Sequence, residues 1–233
     1  MSTIRAFVAT NLPVKAIDTL RDYQRRLQGS LESWRPGISW TSPASLHLTL
    51  RFLGEIEEPL VAALGDRLSE AAARCETFDF TLGGVGAFPS LQRARVLWAG
   101  ATGDGLLPLA TTVEDSLEQI GLPREERPFS AHITLGRLKS PLNLAPVLGT
   151  VALFPPTVVT VREIILYSSR LTPKGAIYQT LRRAPLRRAT TTTSASRAAS
   201  SRRASTHRSR SSSTSATTSS APPGPTARRS GCG

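Results

Sequence analysis

The chain is poor in the residues that build disulfide frameworks and metal centres, with two cysteines and three histidines among 233 residues. Cys75 and Cys232 have neither disulfide-framework nor zinc-ligand spacing, which favours a reducing compartment. No run of apolar residues approaches the length of about 18 that a membrane-spanning helix needs. The first residues also lack the charged and apolar pattern of a secretory signal. These absences predict a cytoplasmic protein without a membrane segment.

Acidic residues are absent from Arg182 to the end of the chain, whereas acidic and basic residues nearly balance before it. The net charge of +12 therefore belongs almost entirely to this tail. Beyond Pro185 the sequence is mostly Ser, Thr, Ala and Arg, which cannot bury enough apolar surface to fold. We expect a folded domain over residues 1–183 and a disordered basic tail over 184–233. The tail either contacts nucleic acid without specificity or has no selected function, and its His207 has no expected catalytic role.

Strand-like and helix-like segments alternate along the expected domain, in the order β-α-β-β-α-β-β-α-β-α-β-β. The final two strands of this order are VVTVREIILYSS and AIYQTLRR. Because strands that are neighbours in sequence usually pair, the order favours an α+β fold with antiparallel strands over a doubly wound parallel sheet. The glycines from Gly83 to Gly86 lack a GxxxxGK[ST] frame and interrupt a strand pattern, which indicates a bulge or bend.

Two of the three histidines lie in near-copies of one motif, SLHLTLRFLGE and SAHITLGRL. Since residues i and i+2 of a strand share a face, His47 projects with Thr49, and His132 projects with Thr134. The apolar residues between them point to the opposite face, into a core. If the two strands lie side by side, two imidazoles and two hydroxyls meet over one cleft. The repeated motif also indicates an internal duplication.

This set of side chains suits the cleavage of a phosphodiester, which needs a base for the attacking oxygen and an acid for the leaving oxygen. An imidazole can serve as either, because its unperturbed pKa is near ~6.5. Thr49 and Thr134 can donate hydrogen bonds to the non-bridging phosphate oxygens, and an arginine can offset transition-state charge. Alternation places Arg51 on the same face as the first histidine. Arg137 reaches the cleft only if its strand bends at Gly136.

Other interpretations of the motifs carry less weight. A single histidine on a strand is most often a partly buried structural residue, and an isolated H-x-T is a weak signal. Its repetition, in a chain with one other histidine, weighs against that interpretation. A zinc site needs three or four ligands, and no HExxH or His-x-His spacing supplies them. We therefore expect neither a metal nor another cofactor.

The stretches HLTLRFLGE and HITLGR, at this separation, resemble the paired H-x-T motifs of the 2H phosphoesterase superfamily. Within it, the chain is most similar to the bacterial RNA 2′,3′-cyclic phosphodiesterases, also called 2′-5′ RNA ligases of the LigT type. IRAFVATNLP, GVGAFPSLQRARVLWAG and LYSSRLTPKGAIYQTL extend the resemblance over about residues 3–181. It implies two pseudo-symmetric lobes with curved antiparallel sheets, helices outside, and a central cleft that holds both motifs.

The resemblance also implies an activity, the metal-independent opening of a terminal 2′,3′-cyclic phosphate on RNA to leave a 2′-phosphate. It makes His47 the proton donor and His132 the proton acceptor, an assignment that the residue pattern alone leaves open. The family's aromatic after the first motif corresponds to Phe52, and its arginine after the second corresponds to Arg137, both in contact with substrate. Strand alternation instead turns Phe52 toward the core. The expected protein is a monomer that acts on an RNA or nucleotide with a cyclic phosphate end.

Two other functions remain open at this point. The same two histidines can join a cyclic phosphate to a 5′-hydroxyl, because 2′-5′ ligation is the reverse of a transesterification that they can catalyse. A non-catalytic RNA-binding module would use the basic tail, with an affinity that falls steeply with salt. The body offers no stacked aromatic platform of the kind found in single-strand binders.

Overall fold

The computed structural model describes residues 2–32, 37–172 and 175–189, so His207 and the tail beyond residue 189 lie outside the described residues. The helices are α1 (Val14–Leu31), α2 (Leu60–Arg74), α3 (Leu106–Glu118) and α4 (Ala145–Leu148). The strands are β1 (Thr3–Asn11), β2 (Ile38–Trp40), β3 (His47–Glu57), β4 (Phe78–Phe88), β5 (Ala94–Thr102), β6 (His132–Leu142), β7 (Thr157–Val161), β8 (Glu163–Thr172) and β9 (Gly175–Pro185).

The strands form one antiparallel sheet in the order β7-β4-β5-β6-β3-β1-β8-β9, and β2 pairs with β6. At its centre, β3 and β6 meet through a single residue pair, Leu48 with Ile133. One side of this joint is β3-β1-β8-β9, and the other is β6-β5-β4-β7. Each half therefore carries its H-x-T strand at the inner edge. The expected α+β fold with two pseudo-symmetric lobes is confirmed.

The helices cover the sheet with apolar residues at helical spacing. α1 buries Leu20, Tyr23, Gln24 and Leu27 along one side, so the apolar stripe that its sequence predicts is the side that packs. α2 contacts β8 and β9, and α3 contacts β3. These surfaces meet the inward side chains of the strands in one hydrophobic core. No helix among the described residues is long and apolar enough to cross a membrane.

The observed order of elements differs from the prediction at one segment. VVTVREIILYSS is two strands, because β7 ends at Val161 and pairs with β4, while β8 begins at Glu163 and pairs with β1 and β9. The chain thus passes from one half of the sheet to the other at Arg162, and the change is concealed because only this one residue separates the two strands. The predicted bend in β4 is confirmed, since Gly84 has a φ of 71° where the register with β5 shifts.

Candidate active site

The two motif strands are neighbours at the centre of the sheet. Leu48 of β3 pairs with Ile133 of β6, and both side chains are fully buried at 0% exposure. In this antiparallel register each histidine falls opposite the threonine of the other motif, on the face away from the buried pair. The two histidines are then diagonal neighbours, which in an antiparallel pair corresponds to about 7–8 Å. The half-buried residues on this shared face are His47, Thr49, His132 and Thr134.

The same backbone contact fixes both imidazole rings. Nδ1 of His47 lies 2.8 Å from the carbonyl oxygen of Ser45, and Nδ1 of His132 lies 2.7 Å from that of Ser130. A carbonyl oxygen only accepts, so each Nδ1 carries the hydrogen and donates it. Nε2 of neither ring has a hydrogen-bond partner among the described residues, so this nitrogen is available for chemistry. Both motifs have a serine two residues before the histidine, but the hydrogen bond is made by the backbone carbonyl of that serine and not by its hydroxyl.

Aromatic side chains from outside the two motifs surround both histidines. The ring of Phe7 stacks on His47 at 4.8 Å, and the edge of Tyr178 approaches it at 5.3 Å. On the other side, Phe88 meets His132 edge-on at 5.0 Å, and Trp98 lies 6.4 Å away. Phe7 and Trp98 lie on strands next to the motif strands. Both residues lie in stretches that extend the family resemblance, but their contact with the histidines follows from the pairing of the strands.

This burial determines the charge state of the imidazoles. Burial lowers the pKa of His47 to about 4, against the opposing effect of the Ser45 carbonyl. The positive charge of Arg137, and that of His132 when it is protonated, lower the pKa of His47 further. Burial also lowers the pKa of His132, again with a contribution from Arg137. Both rings are therefore neutral near pH 7 before an anion binds, and Arg137 is close enough to influence both.

A β-bulge turns Arg137 toward this face. Thr134 pairs with Trp98 of β5, and Gly136 pairs with Leu97, so Leu135 is an extra residue in β6. Leu135 and Gly136 are both buried, and alternation resumes with an exposed Arg137. The bend that Arg137 needs in order to reach the cleft is therefore present.

A second bulge corrects the expectations for the residues after the first motif. Thr49 pairs with Ala9 of β1 and Arg51 pairs with Val8, so Leu50 is the extra residue. The expectation that Arg51 shares the face of His47 is wrong, because the bulge reverses its direction.

The guanidinium of Arg51 lies among acidic partners instead. Its Nε is 3.0 Å from Glu114 of α3, its Nη1 donates to Glu125 at 3.2 Å, and its side chain is 10% exposed. Its Nη2 donates to the carbonyl oxygen of Pro123. Arg51 therefore ties β3 to α3 and to the loop before β6, although it still borders the adjoining cavity.

The same bulge brings Phe52 onto the face of the histidines. It pairs with Phe7, and the two ring centroids are 6.0 Å apart. The side chain is 46% exposed, so the expectation from alternation that Phe52 lies in the core is wrong. This position agrees with the one that the family resemblance implies.

A cavity of about 750 Å³ opens beside the second histidine. Its lining includes both motif threonines, and the aromatic ring of Phe52 and the guanidinium of Arg137 border it as well. The cavity is large enough for a nucleotide, since small-molecule sites commonly enclose about 300–1,000 Å³. The residues named from sequence that line it are Thr49, Arg51, Phe52, His132, Thr134 and Arg137.

A duplicated antiparallel sheet, with its two H-x-T strands side by side and both Nδ1 atoms held by backbone, defines a 2H phosphoesterase. The model of the LigT-like phosphoesterase family matches residues 14–98 and 100–178. The chain belongs to this family.

Named relatives and a solved structure agree with this assignment. The RNA 2′,3′-cyclic phosphodiesterase of Archaeoglobus fulgidus is 35% identical over 182 residues, which cover 77% of this chain and 98% of the relative. The protein of the same name from Aeropyrum pernix is 37% identical over 164 residues, 67% of this chain and 90% of the relative. The crystal structure of TT0787 of Thermus thermophilus matches with a TM-score of 0.67 and 30% identity, and covers 80% of this chain and 100% of that chain.

Proposed function

We propose that this protein hydrolyses a terminal 2′,3′-cyclic phosphate on RNA and leaves a 2′-phosphomonoester. The observation that carries the proposal is the pair of imidazoles on adjacent strands, each with Nδ1 bound to a backbone carbonyl and with no partner for Nε2 in the described part of the chain. Two such groups supply the acid and the base that a phosphodiester needs. The relatives named as RNA 2′,3′-cyclic phosphodiesterases support the choice of substrate.

The proposed reaction is a displacement at phosphorus. A water oxygen forms a bond to phosphorus while the bond from phosphorus to O3′ breaks. Nε2 of His132 takes the proton from the water, and Nε2 of His47 gives its proton to O3′. The product has a 2′-phosphate and a 3′-hydroxyl. A second proton exchange with solvent returns both imidazoles to their starting states.

The low pKa of His47 fits a donor that is charged by its own substrate. Burial keeps this imidazole neutral before binding, with a pKa of about 4. A phosphate anion between the two rings favours the protonated form and raises this pKa. Proton donation would then be available chiefly when a phosphodiester occupies the cleft.

We assign a role in substrate binding or in support of the site to each neighbouring residue from its position. Thr49 and Thr134 lie on the face of the histidines, and we assign their hydroxyls to the non-bridging phosphate oxygens. Arg137 supplies positive charge for the transition state, and the exposed ring of Phe52 contacts the nucleoside. Arg51 is already ion-paired, so we assign it to holding the loop that carries Glu125. No step requires a metal ion, since both proton transfers use imidazole.

The test is incubation of the purified chain with a short RNA ending in a 2′,3′-cyclic phosphate, in the presence of a chelator. The expected product is a 2′-phosphomonoester, identified by ³¹P NMR against both monophosphate standards. A 3′-phosphate product, or activity that disappears in chelator and returns with added zinc, would reject the proposed reaction. Addition of an RNA with a 5′-hydroxyl to the same mixture shows whether a joined product forms.

Variants of the histidines test the proposed roles. His47→Ala and His132→Ala should each lower kcat by at least roughly 10²-fold, because each removes a positioned acid or base. His207→Ala is the matched control and should leave kcat unchanged. Undiminished turnover in either motif variant would remove that histidine from the mechanism.

A further inference from the structure

Gln24 of α1 is a buried polar residue with no role in the proposed reaction. Gln24 is 4% exposed. It lies on the buried side of the helix, where the other side chains are mostly apolar. Its Nε2 donates to the carbonyl oxygen of Leu135 at 2.8 Å and to that of Thr41 at 2.9 Å. Both amide hydrogens are therefore used. A buried amide that loses its hydrogen bonds lowers the stability of the fold. Gln24 therefore fixes the positions of the two backbone segments whose carbonyl oxygens it binds.

The partner in β6 is the extra residue of the bulge. The carbonyl oxygen of Leu135 accepts from Gln24 and also from the backbone N–H of Thr41 at 2.9 Å. Leu135 has no partner in β5, but its carbonyl faces the side of β2, where the hydrogen bond from Thr41 continues the pairing of β2 with β6. Gln24 of α1 adds a second donor to this carbonyl, at the residue where the register with β5 shifts. Arg137 lies two residues further along the same strand.

We propose that Gln24 is a positioning residue that holds the Leu135 bulge and so directs Arg137 toward phosphate bound at the two histidines. The inference deepens the proposed function, because it takes the face of the histidines as a phosphate site. Without the bulge, alternation from His132 would turn Arg137 to the opposite face. Gln24 itself does not touch the substrate.

A glutamine suits this position because its amide nitrogen offers two donors to two carbonyl oxygens from one atom without burying a charge. Glutamate would place carboxylate oxygens against both carbonyls. Methionine has nearly the same length and no donor. Gln24→Met therefore removes the two hydrogen bonds with little change in packing volume. Gln28, one turn later on α1, is exposed, so Gln28→Met is a matched control.

The test measures the affinity for inorganic phosphate in a double-mutant cycle. The five chains are the unaltered protein, Gln24→Met, Arg137→Ala, the double variant Gln24→Met/Arg137→Ala, and Gln28→Met. Gln24→Met should weaken phosphate binding by about 10-fold, since a small displacement of a charged group is costly. The same substitution should change affinity by less than about 2-fold once Arg137 is alanine, because the two residues act through one contact. Gln28→Met should bind phosphate as the unaltered chain does.

Equal losses from Gln24→Met in both backgrounds would overturn the proposal, because they would mean that Gln24 acts on the fold rather than through Arg137. An unchanged phosphate affinity in Gln24→Met, with Arg137 present, would also overturn the proposal. Gln24→Asn provides a second variant that keeps a polar amide, is one methylene shorter, and should weaken phosphate binding in the same Arg137-dependent way. Phosphate binding is read without turnover, so failure of the cyclic phosphodiesterase assay and failure of this cycle are separate results.

Discussion

At the scale of the residue, the feature that distinguishes His47 and His132 from ordinary strand histidines is the occupation of Nδ1 by a carbonyl two residues earlier. This contact sets the tautomer of each ring and leaves Nε2 available. Nearby aromatic rings exclude water, which lowers the pKa of both imidazoles. The pattern H-x-T predicts which residues meet, but not this protonation state, because the aromatic rings come from other strands.

The lowered pKa of His47 links stability to pH. The unfolded chain binds a proton at this imidazole near ~6.5, whereas the folded chain binds it only near about 4. Between these two pH values the unfolded state binds more protons than the folded state. The stability that comes from the neutral imidazole is therefore fully present above about pH 6.5 and is lost as the pH falls toward about 4. The loss amounts to as much as about 3 kcal/mol of unfolding free energy.

Urea unfolding of the unaltered chain and of His47→Gln, at pH 7 and pH 4.5, measures this effect. The unaltered chain should lose more unfolding free energy on acidification than His47→Gln, because glutamine does not titrate. His207→Gln should follow the unaltered chain. An identical pH dependence in the unaltered chain and His47→Gln would show that the imidazole is not buried as the structure describes.

At the scale of the element, two bulges decide which side chains reach the cleft. The alternation of a strand predicts the faces of Thr49 and Thr134 correctly, because no bulge separates them from the histidines. It fails for Arg51 and Phe52, which follow the bulge at Leu50. A bulge depends on the partner strand and on donors such as Gln24, so one strand read alone does not reveal it.

The joint between the two halves of the sheet depends on few contacts and should be sensitive to core truncation. Ile133 is fully buried where β6 meets β3, and Ile133→Ala should lower the unfolding free energy by about 2–5 kcal/mol. Ile177 of β9 is 51% exposed, and Ile177→Ala should change it by no more than about 0.5 kcal/mol. Equal effects of the two substitutions in urea unfolding would contradict the burial of the joint.

At the scale of the whole molecule, the internal duplication suggested by the motifs is visible as two halves of four strands each, with β2 added beside β6. The sequence predicts the order of nearly all elements, since their hydrophobic periodicity is local. It does not predict the joining of the halves into one sheet, which depends on a single long-range residue pair. The expected boundary at residue 183 also falls within β9, which continues to Pro185.

Two truncated chains test where the domain ends. A chain of residues 1–189 should keep kcat/KM within about 2-fold, because every assigned site residue lies within it. A chain of residues 1–183 loses the buried Ala184 and Leu186, and a backbone hydrogen bond from Leu186 to Arg162 at 2.9 Å. It should lose at least about 2 kcal/mol of unfolding free energy. Equal stability of the two chains would contradict a role for the segment after residue 183.

The same 1–189 chain tests the basic tail. If the tail contacts RNA, its removal should make RNA affinity less dependent on salt while hydrolysis survives. An unchanged salt dependence would assign the tail no part in RNA binding. Loss of hydrolysis on removal would instead place part of the active site beyond residue 189, against the assignment made from the described residues.

The central claim is that two imidazoles from the two halves of the sheet bracket one phosphorus. A crystal structure of the chain with bound inorganic phosphate measures this most directly. The account predicts one phosphate ion with Nε2 of His47 and Nε2 of His132 within about 3.2 Å of oxygens on opposite sides of it. A phosphate ion that contacts only one imidazole, or rings turned so that Nδ1 faces the ion, would contradict it.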